Sequence, residues 1–243
     1  MTAKNRTVRE QPNILIPTNF TGHAVIAGEY AARLLEGSPC NIILETVYQA
    51  PKGSAGTLIR IADILLAEAE EKLRKECKQI EFGAPGLHID FKAEEGDAAT
   101  VIGNNVKKDK IDLLVIGHNS HVKKFLYSFI GKPDSWPALL VPNNATSLPE
   151  RAIIVCGPET ADSRRKPGIS AIENRLKGKT RTIYFSKNEP VIQLKRRLET
   201  EIANHNTDIL VFKTEKGSEL EAAIKMHSFD ELLLICPALL LSY

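Results

Sequence analysis

Hydrophobic residues fall into two kinds of pattern along this chain: short unbroken runs, and stretches in which they recur every three or four positions. Unbroken runs predict strands buried on both faces of a sheet, and recurring positions predict amphipathic helices. The clearest example begins at Gly96 and Asp97, which predict a turn and a helix N-cap. A helix at 98–108 and a buried strand at 112–117 follow, and together they form half of a βαβ unit.

The first part of the chain repeats this alternation of strand and helix. Unbroken runs predict strands, and helical spacing predicts helices, in the order β 13–17, α 21–35, β 41–47, α 58–82, β 87–92, α 98–108, β 112–117 and β 137–142. In the longest helix, the face that carries the charged residues from Glu68 to Glu76 predicts a solvent-exposed surface. The alternation predicts an α/β fold with a doubly wound parallel sheet.

The second part of the chain carries a weaker copy of the same pattern. Strands are predicted at 152–156, 180–185, 208–212 and 230–235. Helices are predicted at 167–176 and from the capping box at 186–189 to about Asn204. Gly217 and Ser218 stand before the last of these strands as Gly96 and Asp97 stand before 112–117. Such an internal repeat predicts two tandem doubly wound parallel-sheet domains, the second shorter and incomplete. The predicted divisions are a disordered or extended N-terminus at 1–12, domain 1 at 13–142, a linker at 143–150 and domain 2 at 151–243, in which 237–243 is a candidate last strand.

Composition and charge narrow the class of protein. The net charge of +2 is too small to indicate binding to nucleic acid or to a membrane surface. The N-terminal residues are polar and mixed in charge, unlike a signal peptide or a spanning helix. The four cysteines form no CxxC pair, as in proteins of a reducing compartment. These features predict a cytoplasmic protein.

Two of these segments resemble a known family. Residues 14–21 (ILIPTNFT) resemble the opening strand of the universal stress proteins, and Glu95-Gly96-Asp97 with 112–117 resembles their third helix and fourth strand. The resemblance is good over 13–142 and weak over 151–243, which implies a tandem member with an adenine nucleotide alpha hydrolase-like fold. It also implies a role in stress response, and a dimer formed either by two chains or by the two halves of one chain.

The resemblance also identifies the positions of a nucleotide site. ATP-binding members carry an aspartate just after the first strand and a G-x2-G-x9-G-(S/T) loop after the fourth. Glycines in such loops let backbone amides approach phosphates. Here Asn19 stands at the aspartate position, Gly117 and Ser120 stand at the first two glycine positions, and Gly131 is followed by Lys132 instead of a hydroxyl residue. These departures predict a degenerate site.

The segment 118–136, between the fourth and fifth strands, is too short for both a phosphate loop and the helix that follows it in the family. Residues 122–130 predict a shortened helix, with Lys123 and Lys124 exposed to solvent and Trp136 packed beside the last strand. His118 and His121 have the spacing of two metal ligands, but no neighbouring Asp, Glu or Cys completes a set, so we assign no metal site.

These observations favour a non-enzymatic interaction or small-molecule-sensing module, with no cofactor and a protein partner of unknown identity. The alternative is an ATP-binding switch with slow hydrolysis, in which Asn19, the backbone near Val47, Gly117 and Ser120 line the nucleotide. A third hypothesis, an enzyme that acts on an adenylated substrate, lacks any catalytic residue that the sequence identifies.

Overall fold

The computed structural model describes residues 11–36, 40–51, 55–84, 87–117, 137–145, 148, 152–156, 180–184, 191–205, 209–214 and 232–237. In these ranges the strands are β1 Asn13–Thr18, β2 Asn41–Tyr48, β3 Ile89–Glu95, β4 Leu113–Gly117, β5 Ala138–Val141, β6 Ala152–Cys156, β7 Thr180–Tyr184, β8 Ile209–Thr214 and β9 Leu232–Pro237. The helices are α1 His23–Leu34, α2 Ala55–Gly83, α3 Ala98–Lys108 and α4 Val191–His205. The predicted helix at 167–176 and the tail after Pro237 lie outside the described residues.

All nine described strands belong to one sheet, in the order β3-β2-β1-β4-β5-β9-β8-β6-β7. The first five strands pair in parallel, as the sequence predicts for a doubly wound domain. β9, β8, β6 and β7 are also parallel to one another. Between these two groups, β5 pairs antiparallel with β9, with Leu139 opposite Leu234. The α/β fold with a parallel five-stranded sheet is therefore confirmed, while the division into domains stays a prediction.

Helices cover both faces of the first five strands. Alternate residues of each strand, such as Ile14 and Ile16 of β1, pack in one buried cluster with α1 and with Leu73 and Ile80 of α2. The intervening residues, such as Leu15, are also buried but point to the opposite face. On that face α3 packs against β2. This arrangement leaves the two ends of the parallel strands as the places where loops and ligands can gather.

The entry into α3 follows the sequence prediction. Asp97 is the N-cap, and its Oδ1 accepts a hydrogen bond from the backbone N of Thr100 at 3.0 Å. Gly96 adopts a φ of +148°, which is accessible to glycine, and its N donates to the carbonyl of Tyr48 at 2.9 Å. This bond ties the start of α3 to the end of β2.

The third strand differs from its prediction at 87–92. β3 starts at Ile89 and continues through Glu95, because its backbone pairs with β2 as far as Tyr48. The sequence analysis ended this strand at Lys92, before Glu94 and Glu95. Backbone pairing with β2 extends the strand although its last residues are charged.

Candidate functional site

The ends of β1, β2, β4 and β5 lie on one side of the sheet because these strands are parallel. We call this side the carboxyl edge. Asn19 follows β1, Val47 lies near the end of β2, and Gly117 is the last residue of β4. Because β1 pairs with both β2 and β4, three of the four predicted site positions lie on adjacent strands. The fourth, Ser120, lies outside the described residues, as do His118, His121, Lys123, Lys124, Gly131, Lys132, Trp136 and the predicted helix at 122–130.

The end of β1 is held by a buried carboxylate that the sequence analysis missed. Thr18 Oγ1 donates a hydrogen bond to Glu76 Oε2 at 2.7 Å and accepts one from the backbone N of Phe20 at 3.0 Å. Glu76 is 8% exposed, so its assignment to the charged surface of α2 is wrong. The sequence does contain a signal for this burial. Glu76 stands three residues after Leu73 and four before Ile80, on the face that α2 buries.

Among the described residues, carboxylates act on groups at the ends of β1 and β2. Burial raises the pKa of Glu76, and the hydrogen bond from Thr18 opposes this shift. At the end of β2, burial and then the negative charges of Glu95, Asp63 and Glu70 raise the pKa of the Tyr48 phenol. A polyphosphate that approached the ends of β1 and β2 would meet these negative charges.

The side chain of Asn19 is exposed but is engaged within its own loop. Its Oδ1 accepts a hydrogen bond from Thr21 Oγ1 at 2.6 Å. Between them, Phe20 has a positive φ of 61°, and the Nζ of Lys72 lies 5.6 Å from the centroid of its ring. The loop therefore uses the amide oxygen of Asn19 for its own turn, and Lys72 lies over an aromatic face.

Gly117 is buried where α1 begins. A β-carbon at this position would collide with the carbonyl oxygen of His23, the first residue of α1. His23 also contacts the loop after β5, where its Nδ1 lies 2.6 Å from Asn143 Oδ1. The close approach of α1 to β4 thus accounts for a glycine at position 117 without any ligand.

Val47 is half-buried and pairs with Glu94 of β3 in the sheet register. Its backbone belongs to the ladder between β2 and β3, and the next residue, Tyr48, accepts the hydrogen bond from Gly96. The position near Val47 is therefore at the predicted edge.

Within the described ranges, we find no group of three or more His, Cys, Asp or Glu residues arranged to hold a metal ion. No helix in the same ranges combines the length and apolar character that a membrane span requires.

Comparison with known proteins identifies the family. The model of the universal stress protein family matches residues 12–130. A search of curated proteins finds no match to the chain.

Several solved structures are similar to parts or most of this chain. A universal stress protein from Archaeoglobus fulgidus is 13% identical, with a TM-score of 0.66 over 94% of this chain and 99% of the other. UspA from Lactobacillus plantarum is 18% identical, with a TM-score of 0.41 over 54% and 96% of the two chains. A universal stress protein solved in complex with cAMP is 17% identical, with a TM-score of 0.39 over 54% and 96%. Residues 12–130 are therefore a universal stress protein domain, and the chain belongs to the universal stress protein family.

Proposed function

We propose that this protein is a non-catalytic binding module of the stress response, which engages a protein partner or a small ligand and does not bind ATP. The observation that carries the proposal is the loop after β1, where the oxygen of Asn19 is already bonded to Thr21. This bond supports a role for the loop other than nucleotide binding.

The chemistry of Asn19 supports the absence of ATP. A carboxylate at this position offers two oxygens and a negative charge to the hydroxyl groups of a ribose. An amide offers one neutral oxygen, which already accepts one hydrogen bond from Thr21 at 2.6 Å. A ribose hydroxyl would have to share this oxygen with Thr21, and it would gain a neutral hydrogen bond in place of a charge-assisted one.

Electrostatics supports the same conclusion. The carboxylate of Glu76 lies behind Thr18, and Glu95, Asp63 and Glu70 act on the end of β2. A ligand with little negative charge, or a protein segment that presents hydrogen-bond donors, fits this edge better than a triphosphate does.

The sheet topology supports a pseudo-dimer within one chain. Both sides of β5 are paired, one with β4 and the other with β9. A second copy of the chain therefore finds no open side of β5 to which it could add a strand. We propose that one chain supplies both halves of the assembly, and that partners bind to other surfaces.

An ATP-binding switch with slow hydrolysis is the second candidate function. It is favoured by the start of α1, where Gly22 has a φ of +79° and no side chain caps the helix. Uncapped amides at a helix N-terminus attract anions, and Gly117 lies against this terminus.

Isothermal titration calorimetry with Mg-ATP separates the two functions. We expect no binding heat from the wild-type chain at millimolar nucleotide, and a dissociation constant below about 0.1 mM would overturn the proposal. Asn19→Asp tests whether the missing carboxylate is the reason that ATP does not bind, since it supplies two acceptor oxygens at nearly constant size. Thr21→Val is the matched control, because it frees the oxygen of Asn19 without adding charge.

A further inference from the structure

A second buried carboxylate, Glu45, lies on the face of the sheet opposite α1 and α2. Ile42 and Leu44 of β2 belong to the cluster under those helices, so Glu45 points to the other face, toward α3. Its relative exposure is 0%. Its Oε1 accepts a hydrogen bond from Asn105 Nδ2 of α3 at 2.7 Å, and its Oε2 has no hydrogen-bond partner among the residues that the structure describes.

The charged groups around Glu45 come from β3 and α3. Lys92 of β3 pairs with Glu45 in the sheet register, but its Nζ lies 2.7 Å from Glu94 and 3.2 Å from Asp109. The positive charge of Lys92 is therefore shared with two other carboxylates, which repel an ionised Glu45. Lys108 of α3 acts on Glu94.

Among the residues that the structure describes, the remaining elements around β2 add no charge on this face. β1 presents Pro17 opposite Glu45 in the register. α2 packs on the other face, through the cluster that contains Ile42 and Leu44. The balance of charge at Glu45 is thus set by one lysine and two carboxylates within the described ranges.

We propose that Glu45 is a proton-dependent contact between β2 and α3: the protonated carboxyl holds α3 against the sheet, and ionisation loosens it. A neutral carboxyl keeps Oε1 as the acceptor for Asn105 and carries no buried charge. An ionised one would leave a buried charge whose Oε2 has no donor and which faces Glu94 and Asp109.

The direction of the pH dependence follows from the same contacts. Burial raises the pKa of Glu45 above its ordinary value of 4.5; the hydrogen bond from Asn105 and the charge of Lys92 oppose the shift, and Glu94 and Asp109 add to it. Because the folded protein holds this proton more tightly than the unfolded chain, the stabilisation is fully present below the ordinary pKa. It is lost as the pH rises through the pKa of the folded state.

A movement of α3 would change the carboxyl edge, because both ends of this helix are connected to it. The N-cap of the helix, Asp97, directly follows Gly96. The N of Gly96 donates to the carbonyl of Tyr48, which is next to Val47 in the chain. The other end of α3 leads through Ile111 into β4, which ends at Gly117. The contact between Glu45 and Asn105 therefore relates the proton concentration to the shape of the candidate site, whichever ligand that site binds.

Hydrogen exchange of the full chain, followed by mass spectrometry between about pH 5 and 8, tests this inference. After correction for the intrinsic pH dependence, we expect the protection of the α3 amides to fall as the pH rises, by up to tenfold per pH unit above the pKa of Glu45. Glu45→Gln should remove this dependence, since the amide mimics the neutral carboxyl. Glu76→Gln is the matched control, because it changes another buried carboxylate that contacts β1.

A parallel loss of α3 protection in wild type and Glu45→Gln would overturn the inference, and so would an unchanged wild-type protection across this range. If Glu45→Gln does not fold, the carboxyl carbon of Glu45 can be titrated by NMR in the wild-type chain. A titration midpoint above the ordinary pKa of 4.5 supports the inference, and a midpoint at or below 4.5 contradicts it.

Discussion

Gly117 and His23 lie so close together that a β-carbon at position 117 would strike the carbonyl oxygen of His23. This contact explains why position 117 is a glycine, the residue that resembles the first glycine of a phosphate loop. The glycine is required so that α1 can approach β4, and its presence in the sequence is therefore no evidence for a bound nucleotide.

Gly117→Ala is expected to destabilise the chain by about 2 kcal/mol or more, because α1 must move away from β4 to accept the methyl group. The midpoint of urea unfolding measures the change. Gly22→Ala is the matched control, since a β-carbon there meets no atom within 4 Å and only the φ of +79° opposes it. We expect this control to lose about 1 kcal/mol of stability. Equal stability of Gly117→Ala and wild type would contradict the close packing.

Thr18→Val is expected to cost more stability at about pH 8 than at pH 4.5. Burial raises the pKa of Glu76, and the hydroxyl of Thr18 stabilises its ionised form at 2.7 Å. A hydrogen bond to a charged group is worth about 1.5–3 kcal/mol, so its loss is largest once Glu76 is ionised. Urea unfolding at the two pH values measures the difference.

The double variant with Glu76→Gln provides the control for this prediction. Without an ionisable group at position 76, the cost of Thr18→Val should be the same at both pH values, because it then comprises the lost acceptor for the N of Phe20 and a neutral hydrogen bond to the amide at position 76. A pH-independent cost in the Glu76 background would show that the hydroxyl does not stabilise the carboxylate.

Cys77 is expected to resist thiol reagents in the folded chain. Burial, and after it the charges of Glu81, Glu76 and Asp90, raises the pKa of its thiol to about 12 from an ordinary value of 9.0. Three pH units reduce the reactive thiolate about a thousandfold. Alkylation at about pH 8, with mass spectrometry of the peptide that contains Cys77, measures the rate. The same peptide alkylated in denaturant gives the reference, and comparable rates in both states would contradict the burial.

The pairing of β5 with β9 predicts the mass of a single chain by light scattering after size exclusion. Leu234→Pro should weaken the pairing of β9, because proline cannot donate a backbone hydrogen bond and Leu234 lies between Leu139 of β5 and Val211 of β8. The freed side of β5 should then promote association that increases with concentration. Twice the mass of one chain for the wild type at micromolar concentration would contradict an assembly completed within the chain.

Local signals account for the parts of the fold that the sequence predicts well. The cap at Asp97 and the unbroken run of β4 each depend on neighbours in the chain, and both are present in the structure. The antiparallel pairing of β5 with β9 has no such signal. The two strands are far apart in sequence, and their pairing depends on how the second group of strands is placed.

In the candidate site, too, the sequence predicts some features and does not predict others. The sequence places Asn19 and Gly117 at one edge of the sheet, because parallel strands end together. It does not show that Thr21 occupies the oxygen of Asn19, because a side-chain hydrogen bond depends on the geometry of the loop. Glu45 and Glu76 were missed because a glutamate is usually exposed, although each stands at a position that its strand or helix buries.

Thermal unfolding of the full chain with and without millimolar Mg-ATP tests most directly whether this universal stress protein has lost its nucleotide site. A ligand at a hundred times its dissociation constant adds about 2.7 kcal/mol of stability, which gives a rise of several degrees in Tm. We expect no change in Tm for the wild-type chain. A rise of several degrees that saturates with nucleotide concentration would contradict the proposal that this site does not bind ATP.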